Sequence, residues 1–213
     1  MLLGIDIGGT TTDIVGLREG RLVRPLSVTA SDPVASAAGA LGKFVADRKI
    51  ALAEIDRIAV TGVGAGRIGD ELLGIRTVPI SEFTAIGTGG AYLSGVSKAV
   101  VVSMGTGTAV VYVDRNHIEH WGGTGVGGGT LIGLAKRTVG ISDFDLILKM
   151  ASEGRLERID LTVGDITEPD LVDMPPETTA SNFGKVTDDA ADADVLKAIV
   201  NLVQMKPGER IAS

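Results

Sequence analysis

Cysteine is absent from the 213 residues. That removes disulfides, thiolate metal sites and cysteine nucleophiles, and it fits a reducing compartment such as the cytosol. Basic runs are also missing, and the formal charge is −7, so nonspecific binding to nucleic acid is excluded. No apolar run approaches the ~20 residues that a membrane span requires. The chain opens directly on a strand-like segment, so no signal peptide is expected. No Gly-Lys-Ser/Thr occurs: Gly42-Lys43-Phe44 and Gly184-Lys185-Val186 both fail the pattern, which rules out a P-loop. The two histidines, His117 and His120, have no partners at metal-ligand spacing.

Glycine is what the chain has in excess, 30 of 213 residues, about twice ordinary usage. The excess is concentrated in turns. One is Ile5-Asp6-Ile7-Gly8-Gly9-Thr10-Thr11-Thr12-Asp13-Ile14-Val15; the other is Val101-Val102-Ser103-Met104-Gly105-Thr106-Gly107-Thr108-Ala109-Val110-Val111. Both read strand, turn, strand. Glycine lets backbone N–H groups crowd around an anion, and threonine hydroxyls add donors. An Asp at the end of the first strand can hold a metal-bound water. The repeat suggests a duplicated fold that grips one nucleoside triphosphate with Mg²⁺ from two sides.

The rest of the pattern supports duplication. Residues 2–7, 13–18 and 22–28 read as three antiparallel strands. Ser31-Asp32-Pro33 reads as a helix start, with Val34, Ala38, Leu41 and Val45 along one face. A strand at 57–61, a short helix near 68–73, a strand at 77–80 and a helix from Glu82 towards residue 93 follow; Gly87, Gly89 and Gly90 weaken that last helix. The second half repeats the meander at 99–103, 109–113 and 117–121. Helices follow near 130–138 and 143–152, then an irregular segment over 160–181 containing Pro169, Pro175 and Pro176, and a final helix over 188–204. Asp188, Asp189, Asp192 and Asp194 read as its solvated N-terminus. The division is expected at 97/98, giving lobes 1–97 and 98–213, the second with an unfinished sheet.

A third glycine segment, Gly122-Gly123-Thr124-Gly125-Val126-Gly127-Gly128-Gly129, contains a formal G-x-G-x-x-G. It follows a meander rather than the first strand of a βαβ unit, which argues against dinucleotide binding. Opening a helix, it still suits an anion.

These motifs resemble the actin/hexokinase/Hsp70 superfamily and, within it, type II pantothenate kinases. Gly4-Ile5-Asp6-Ile7-Gly8-Gly9-Thr10, Ser81-Glu82-Phe83-Thr84-Ala85, Met104-Gly105-Thr106-Gly107-Thr108 and the long glycine segment through Leu134 carry the resemblance, supported by Thr179-Ala180-Ser181-Asn182-Phe183-Gly184-Lys185. It implies an α/β fold of the duplicated ribonuclease H-like (actin-like ATPase) type, two βββαβα lobes around a nucleotide cleft. It also implies further strands and a glycine turn beyond the last helix of this sequence. The implied activity is ATP-dependent phosphorylation of pantothenate to 4′-phosphopantothenate, the first step of coenzyme A biosynthesis, in the cytoplasm. The implied cofactors are ATP and Mg²⁺, with coenzyme A or an acyl-CoA as feedback ligand and a homodimer as the assembly.

Carried onto this sequence, Glu82 is the general base. Read alone it is only a first-turn glutamate favoured by the helix dipole. Asp6, Gly8, Gly9, Thr10, Thr11, Gly105, Thr106, Gly107, Thr108, Gly125, Gly127, Gly128 and Gly129 bind phosphate or nucleotide, Asp6 holding Mg²⁺ through water. Thr106 and His120 join Glu82 in contacting substrate. The family presents an Arg just before the long glycine motif; His120 and Trp121 stand there, and the nearest Arg is Arg115. Asp13 and His117 read as surface residues. Two alternatives remain open: another small-molecule kinase of the superfamily, or an impaired or non-catalytic relative that keeps the fold. A sugar kinase would call for an Asp base and sugar-binding polar residues, which the sequence does not display.

Overall fold

The computed structural model describes residues 1–29, 31–167 and 174–212, of which 206–212 as backbone only. Pro169 lies outside them. Two compact units are resolved, Met1–Gly122 and Gly123–Ser213.

The first unit begins with a meander, β1 (Leu2–Ile7), β2 (Thr11–Arg18) and β3 (Arg21–Thr29). Helix α1 (Pro33–Arg48) is capped by Asp32, whose Oδ1 accepts from the Ala35 N–H at 2.9 Å. β4 (Arg57–Thr61) returns parallel to β1. β5 (Glu71–Leu72) and β6 (Ile75–Pro79) form a hairpin, and β6 runs parallel to β4. The six-stranded order is β3-β2-β1-β4-β6-β5. Alternate residues of the central strands, including Leu3, Ile5, Ile7, Ile14, Ile58 and Val60, are buried with Leu41 and Phe44 of α1. Each such side chain contributes roughly 1.5–3 kcal/mol of burial.

Two expectations are corrected here. The buried face of α1 is Ala37, Ala40, Leu41 and Phe44, while Val34 remains 45% exposed; Ala38 and Val45 only flank the core. The small alanines bring the helix close to the sheet, and the Phe44 ring fills the space over Gly16, where a Cβ would lie 3.1 Å from Cζ. Second, no helix forms over 68–73. A single 3₁₀ turn at Ala65–Arg67 is followed by the β5–β6 hairpin. Its two-residue turn, Leu73-Gly74, has φ of 52° and 79°, the left-handed pair a type I′ turn demands.

Helix α2 (Glu82–Ser94) then leads to a second sheet of β7 (Lys98–Met104), β8 (Thr108–Asp114) and β9 (His117–Thr124) in the order β7-β8-β9. α2 lies on β7 and β8. Its glycines are the contact: a Cβ on Gly87 would sit 2.9 Å from Ile118 and one on Gly90 2.6 Å from Val101. This packing joins the second meander to the first unit, so the division falls at 122/123 rather than 97/98.

The second unit holds α3 (Gly128–Thr138), α4 (Phe144–Glu153), β10 (Leu161–Thr162), α5 (Val163–Ile166), β11 (Thr179–Ser181) and α6 (Asp192–Ala212). At the ends of the 160–181 segment β10 pairs antiparallel with β11, and α6 starts at Asp192 and runs on to Ala212. Leu196, Ile199 and Val203 of α6 pack with Leu131, Ala135, Ile147 and Ala151. Val195 and Val200, partly buried, pack beside them. Asp194 is no solvated residue: it is 5% exposed, accepts from the Arg155 N–H at 2.7 Å and pairs with Arg158 at 3.5 Å.

Asp160 is wholly buried. Its carboxylate accepts from the Phe183 N–H at 2.8 Å and the Asn201 amide at 2.9 Å, and from Asn182 at 3.2 Å and Thr179 at 3.4 Å. This network ties the Asn182-Phe183-Gly184 turn to α6, and it holds Phe183 at a φ of 58°.

Candidate active site

The site in the first unit is built on strand ends. Antiparallel pairing sets Asp13 opposite Asp6, and parallel pairing sets Thr61 on Asp6's other side. The row Asp13–Asp6–Thr61 therefore spans β2, β1 and β4 on the face away from α1, because side chains alternate along a strand. Asp6 keeps an exposed edge, yet partial burial of its carboxyl raises it above the ordinary Asp range, and the like charges of Glu82 and Asp13 push it further. None of these three carboxylates pairs with a basic side chain among the described residues. Along the same face runs a pocket of about 350 Å³, with Gly4, Val15, Ala59 and Ala85 as apolar walls.

The first Gly/Thr turn closes on itself, Gly8 N–H donating to the Thr11 carbonyl at 2.9 Å. Thr11 donates to Asp13 at 3.1 Å, so Asp13 is exposed but holds the turn. The second turn comes to the first: Thr10 and Thr106 share a hydrogen bond at 3.2 Å. A Cβ on Gly9 would lie 3.5 Å from the Thr106 hydroxyl. Thr10, Thr106, Gly9 and Gly105 are exposed, Gly8 and Gly107 half-buried, and Thr108 buried at the start of β8. The two turns therefore share one surface.

Glu82 opens α2 in an exposed position, and Ser81 makes no side-chain cap to the helix. The next residue, Phe83, stacks on His120 with ring centroids 3.8 Å apart and planes 11° off parallel. That contact brings His120 to the first turn of α2. Trp121, one residue on, faces the other way and stacks on Tyr112 at 4.6 Å. His117 is exposed at the start of β9, 3.6 Å from Glu119. Among the described residues no group of three or more His, Cys, Asp or Glu is arranged to hold a metal directly.

From Gly123 on, the third glycine segment lies in the second unit. Thr130 donates to the Gly125 carbonyl at 3.1 Å and accepts from the Gly127 N–H at 3.3 Å. The loop is thereby folded over the start of α3 at Gly128, and Gly128 and Gly129 form its first turn, where N–H groups have no partner inside the helix.

Comparison with known proteins places this geometry. A family model described as Fumble matches residues 98–208. A type II pantothenate kinase of Bacillus anthracis is 31% identical over 210 residues, spanning 94% of this chain and 73% of the relative. One from Bacillus cereus strain G9842 is 29% identical over 218 residues, with 94% and 74% covered. This chain belongs to the Fumble, or type II pantothenate kinase, family. Among solved structures, the activator of the 2-hydroxyisocaproyl-CoA dehydratase from Clostridium difficile with bound ADPNP superposes with a TM-score of 0.71 at 16% identity, over 99% of this chain and 75% of that one. Component A of the Acidaminococcus fermentans (R)-2-hydroxyglutaryl-CoA dehydratase gives 0.66 at 14% identity, over 96% and 75%. At those identities the likeness speaks for the fold, which is the duplicated ribonuclease H-like, actin-like ATPase type.

The family model spans the second Gly/Thr turn and the third glycine segment. The glycine-rich turn after β4 is legible in the sequence, but its place beside Asp6 is not. Gly62 has a φ of 86°, and a Cβ there would lie 2.2 Å from Asp6 Oδ1. The signal was present in Thr61-Gly62-Val63-Gly64, a glycine turn at the carboxyl end of a buried parallel strand, where ligand sites of open α/β sheets gather.

Proposed function

We propose that this chain transfers the γ-phosphoryl group of ATP to pantothenate, giving 4′-phosphopantothenate and ADP. One observation carries the reading: the Thr10–Thr106 contact unites two phosphate-type turns beside Asp6, in a chain 31% identical to a type II pantothenate kinase. In this reading the backbone N–H groups of Gly9, Gly105 and Gly107, with the hydroxyls of Thr10 and Thr106, hold the phosphates, while Gly8, Thr11 and Thr108 shape the two turns. Glu82 accepts the proton of the pantothenate hydroxyl as its oxygen bonds to the γ-phosphorus and the bond to the bridging oxygen of ADP breaks. His120, stacked on Phe83, contacts the acceptor. Gly125, Gly127, Gly128 and Gly129 serve the nucleotide at the start of α3.

Asp6 is the residue to hold Mg²⁺, through water, since the described residues offer no direct ligand cluster. A carboxyl crowded by two like charges, its affinity for protons raised, is suited to a cation in the same place. Bound there, the ion would neutralise charge on the β- and γ-phosphates. A homodimer and a coenzyme A or acyl-CoA feedback ligand rest on the family likeness.

The test is phosphorylation itself. Purified protein with Mg·ATP is offered pantothenate and, in parallel, a panel of sugars and acetate, with ADP release and product mass followed. Pantothenate alone should be phosphorylated. Turnover of a sugar or acetate would make it another kinase of this fold, and no turnover with intact folding would make it a non-catalytic relative.

A further inference from the structure

Asp6 is surrounded by charge but by little that fixes its orientation. No side chain donates to its carboxylate among the bonds of the first sheet; its strand neighbours are Asp13 and Thr61. What confines it is backbone. The chain leaves β4 at Thr61 and turns under β1, with Gly64 N–H donating to the Ile7 carbonyl at 2.9 Å. Gly62, in the left-handed region at φ 86°, lies so close that a Cβ would stand 2.2 Å from Asp6 Oδ1 and 2.7 Å from the Ile7 carbonyl. A Cβ on Gly64 would stand 2.4 Å from Ile7 Cγ2. Meanwhile Val63, at the tip, is 79% exposed, so the turn is not there to bury its side chain. The Thr61 hydroxyl is buried with no hydrogen-bond partner among the described residues, a local cost accepted right beside Asp6.

We propose that the Gly62-Val63-Gly64 turn is the positioning element for Asp6, a backbone wall against which the carboxylate is held in one orientation. Gly62 is a positioning residue: it touches neither phosphate nor acceptor, and acts through Asp6. This deepens the proposed kinase reading in its activity arm only. The wall also explains why the position takes glycine. Any side chain would meet both the left-handed φ and the carboxylate.

The test compares Gly62→Ala with Gly74→Ala. Gly74 has a φ of 79° and open space around its Cβ position, so it reports the left-handed cost alone. Both are made in wild-type and Asp6→Ala backgrounds. Each protein is unfolded in urea without ligand and assayed with pantothenate and Mg·ATP. Gly62→Ala should unfold at lower urea than Gly74→Ala, and this excess should shrink in the Asp6→Ala background. Its kcat should fall on the order of 10²-fold with the KM for pantothenate unchanged, while Gly74→Ala keeps wild-type kcat. An equal unfolding cost in both backgrounds, or a kcat within about twofold of Gly74→Ala, overturns the proposal. Should Gly62→Ala fail to fold, Val63→Gly loosens the turn without touching the core. A several-fold loss of kcat supports the wall, and an unchanged kcat overturns it. A wild type that does not phosphorylate pantothenate overturns the kinase reading instead, and the unfolding cycle then decides the positioning.

Discussion

Thr10 and Thr106, separated by 96 positions, meet through their hydroxyls at 3.2 Å. Each hydroxyl has one proton and two lone pairs. Their mutual bond uses one proton, so the other remains for an anion, as do the neighbouring glycine N–H groups. The pair is thus a latch between two turns and, in the function proposed above, half of a phosphate cradle. Because it is exposed, its value in the ligand-free protein should be at the low end for a hydrogen bond, about 0.5 kcal/mol.

A double-mutant cycle separates the two roles. Thr10→Ala and Thr106→Ala should each raise the KM for ATP several-fold. In urea unfolding without nucleotide the double variant should lose no more than about 0.5 kcal/mol beyond either single change. Large losses of stability from either single change that do not add in the double variant, with an unchanged KM, would make the pair a structural contact only.

Glu82 gives a sharper contrast between stability and turnover. It is exposed, makes no ion pair among the described residues and follows an N-cap residue without a side-chain cap. Replacing Glu82 by Gln should leave the melting temperature within about a degree or two, since surface changes usually cost under ~0.5 kcal/mol. Losing the base should lower kcat by about 10²–10⁴. Steady-state kinetics read beside a melt decide it; a kcat within a few-fold of wild type would return Glu82 to being a helix-start residue.

Asp6 should behave in the opposite way on stability. Its folded carboxyl is raised above the ordinary Asp value, by burial first and then by Glu82 and Asp13. The folded state therefore binds this proton more tightly than the unfolded chain does. At pH values below about 3.9 the carboxyl is protonated in both states and costs nothing. As pH rises through the raised folded value, ionising it in place becomes a penalty. Asp6→Asn should therefore melt higher than wild type at pH 7, with the gap closing as pH is lowered towards 4. Turnover should fall by 10²-fold or more. Melting curves at both pH values check the sign: a variant that melts lower at pH 7 would mean that Asp6 is held by favourable contacts.

Much of this was legible beforehand, for identifiable reasons. The Gly/Thr turns announce themselves because glycine and threonine between apolar strands serve little else, and the meanders follow from alternation. The α1 face was misread because periodicity marks large apolar residues, whereas Ala37 and Ala40 set the approach of the helix to the sheet. Residues 68–73 look helical in composition, yet Leu73-Gly74 takes a hairpin turn whose cost is met only by pairing β5 with β6. The role of the Thr61–Gly64 turn was hidden because it depends on what lies 2.2 Å away, a contact made by parallel pairing and not by local sequence. The domain boundary moved because α2 uses Gly87 and Gly90, weak helix formers in isolation, as its docking surface.

The Asp160 network gives a final prediction away from the strand-end site. Its carboxylate is wholly buried and is met by neutral donors, two of them at 2.8 and 2.9 Å. Removing the acceptor leaves the half-buried Phe183 N–H and the Asn201 and Asn182 amides without it. An unsatisfied buried donor costs about 1–3 kcal/mol, so Asp160→Ala should destabilise by at least that much. Asp160→Asn should fare better in shape but worse in bonding, since it turns one acceptor oxygen into a donor facing donors. The strained Phe183, at a φ of 58°, is held in place by the same carboxylate. Proteolysis in the 179–187 region should therefore accelerate in both variants before the whole protein unfolds, because local opening draws on the weakest ties first. Limited proteolysis with mass spectrometry, set beside urea unfolding, checks it: protection of that region in Asp160→Ala would show that α6 packing alone orders the turn.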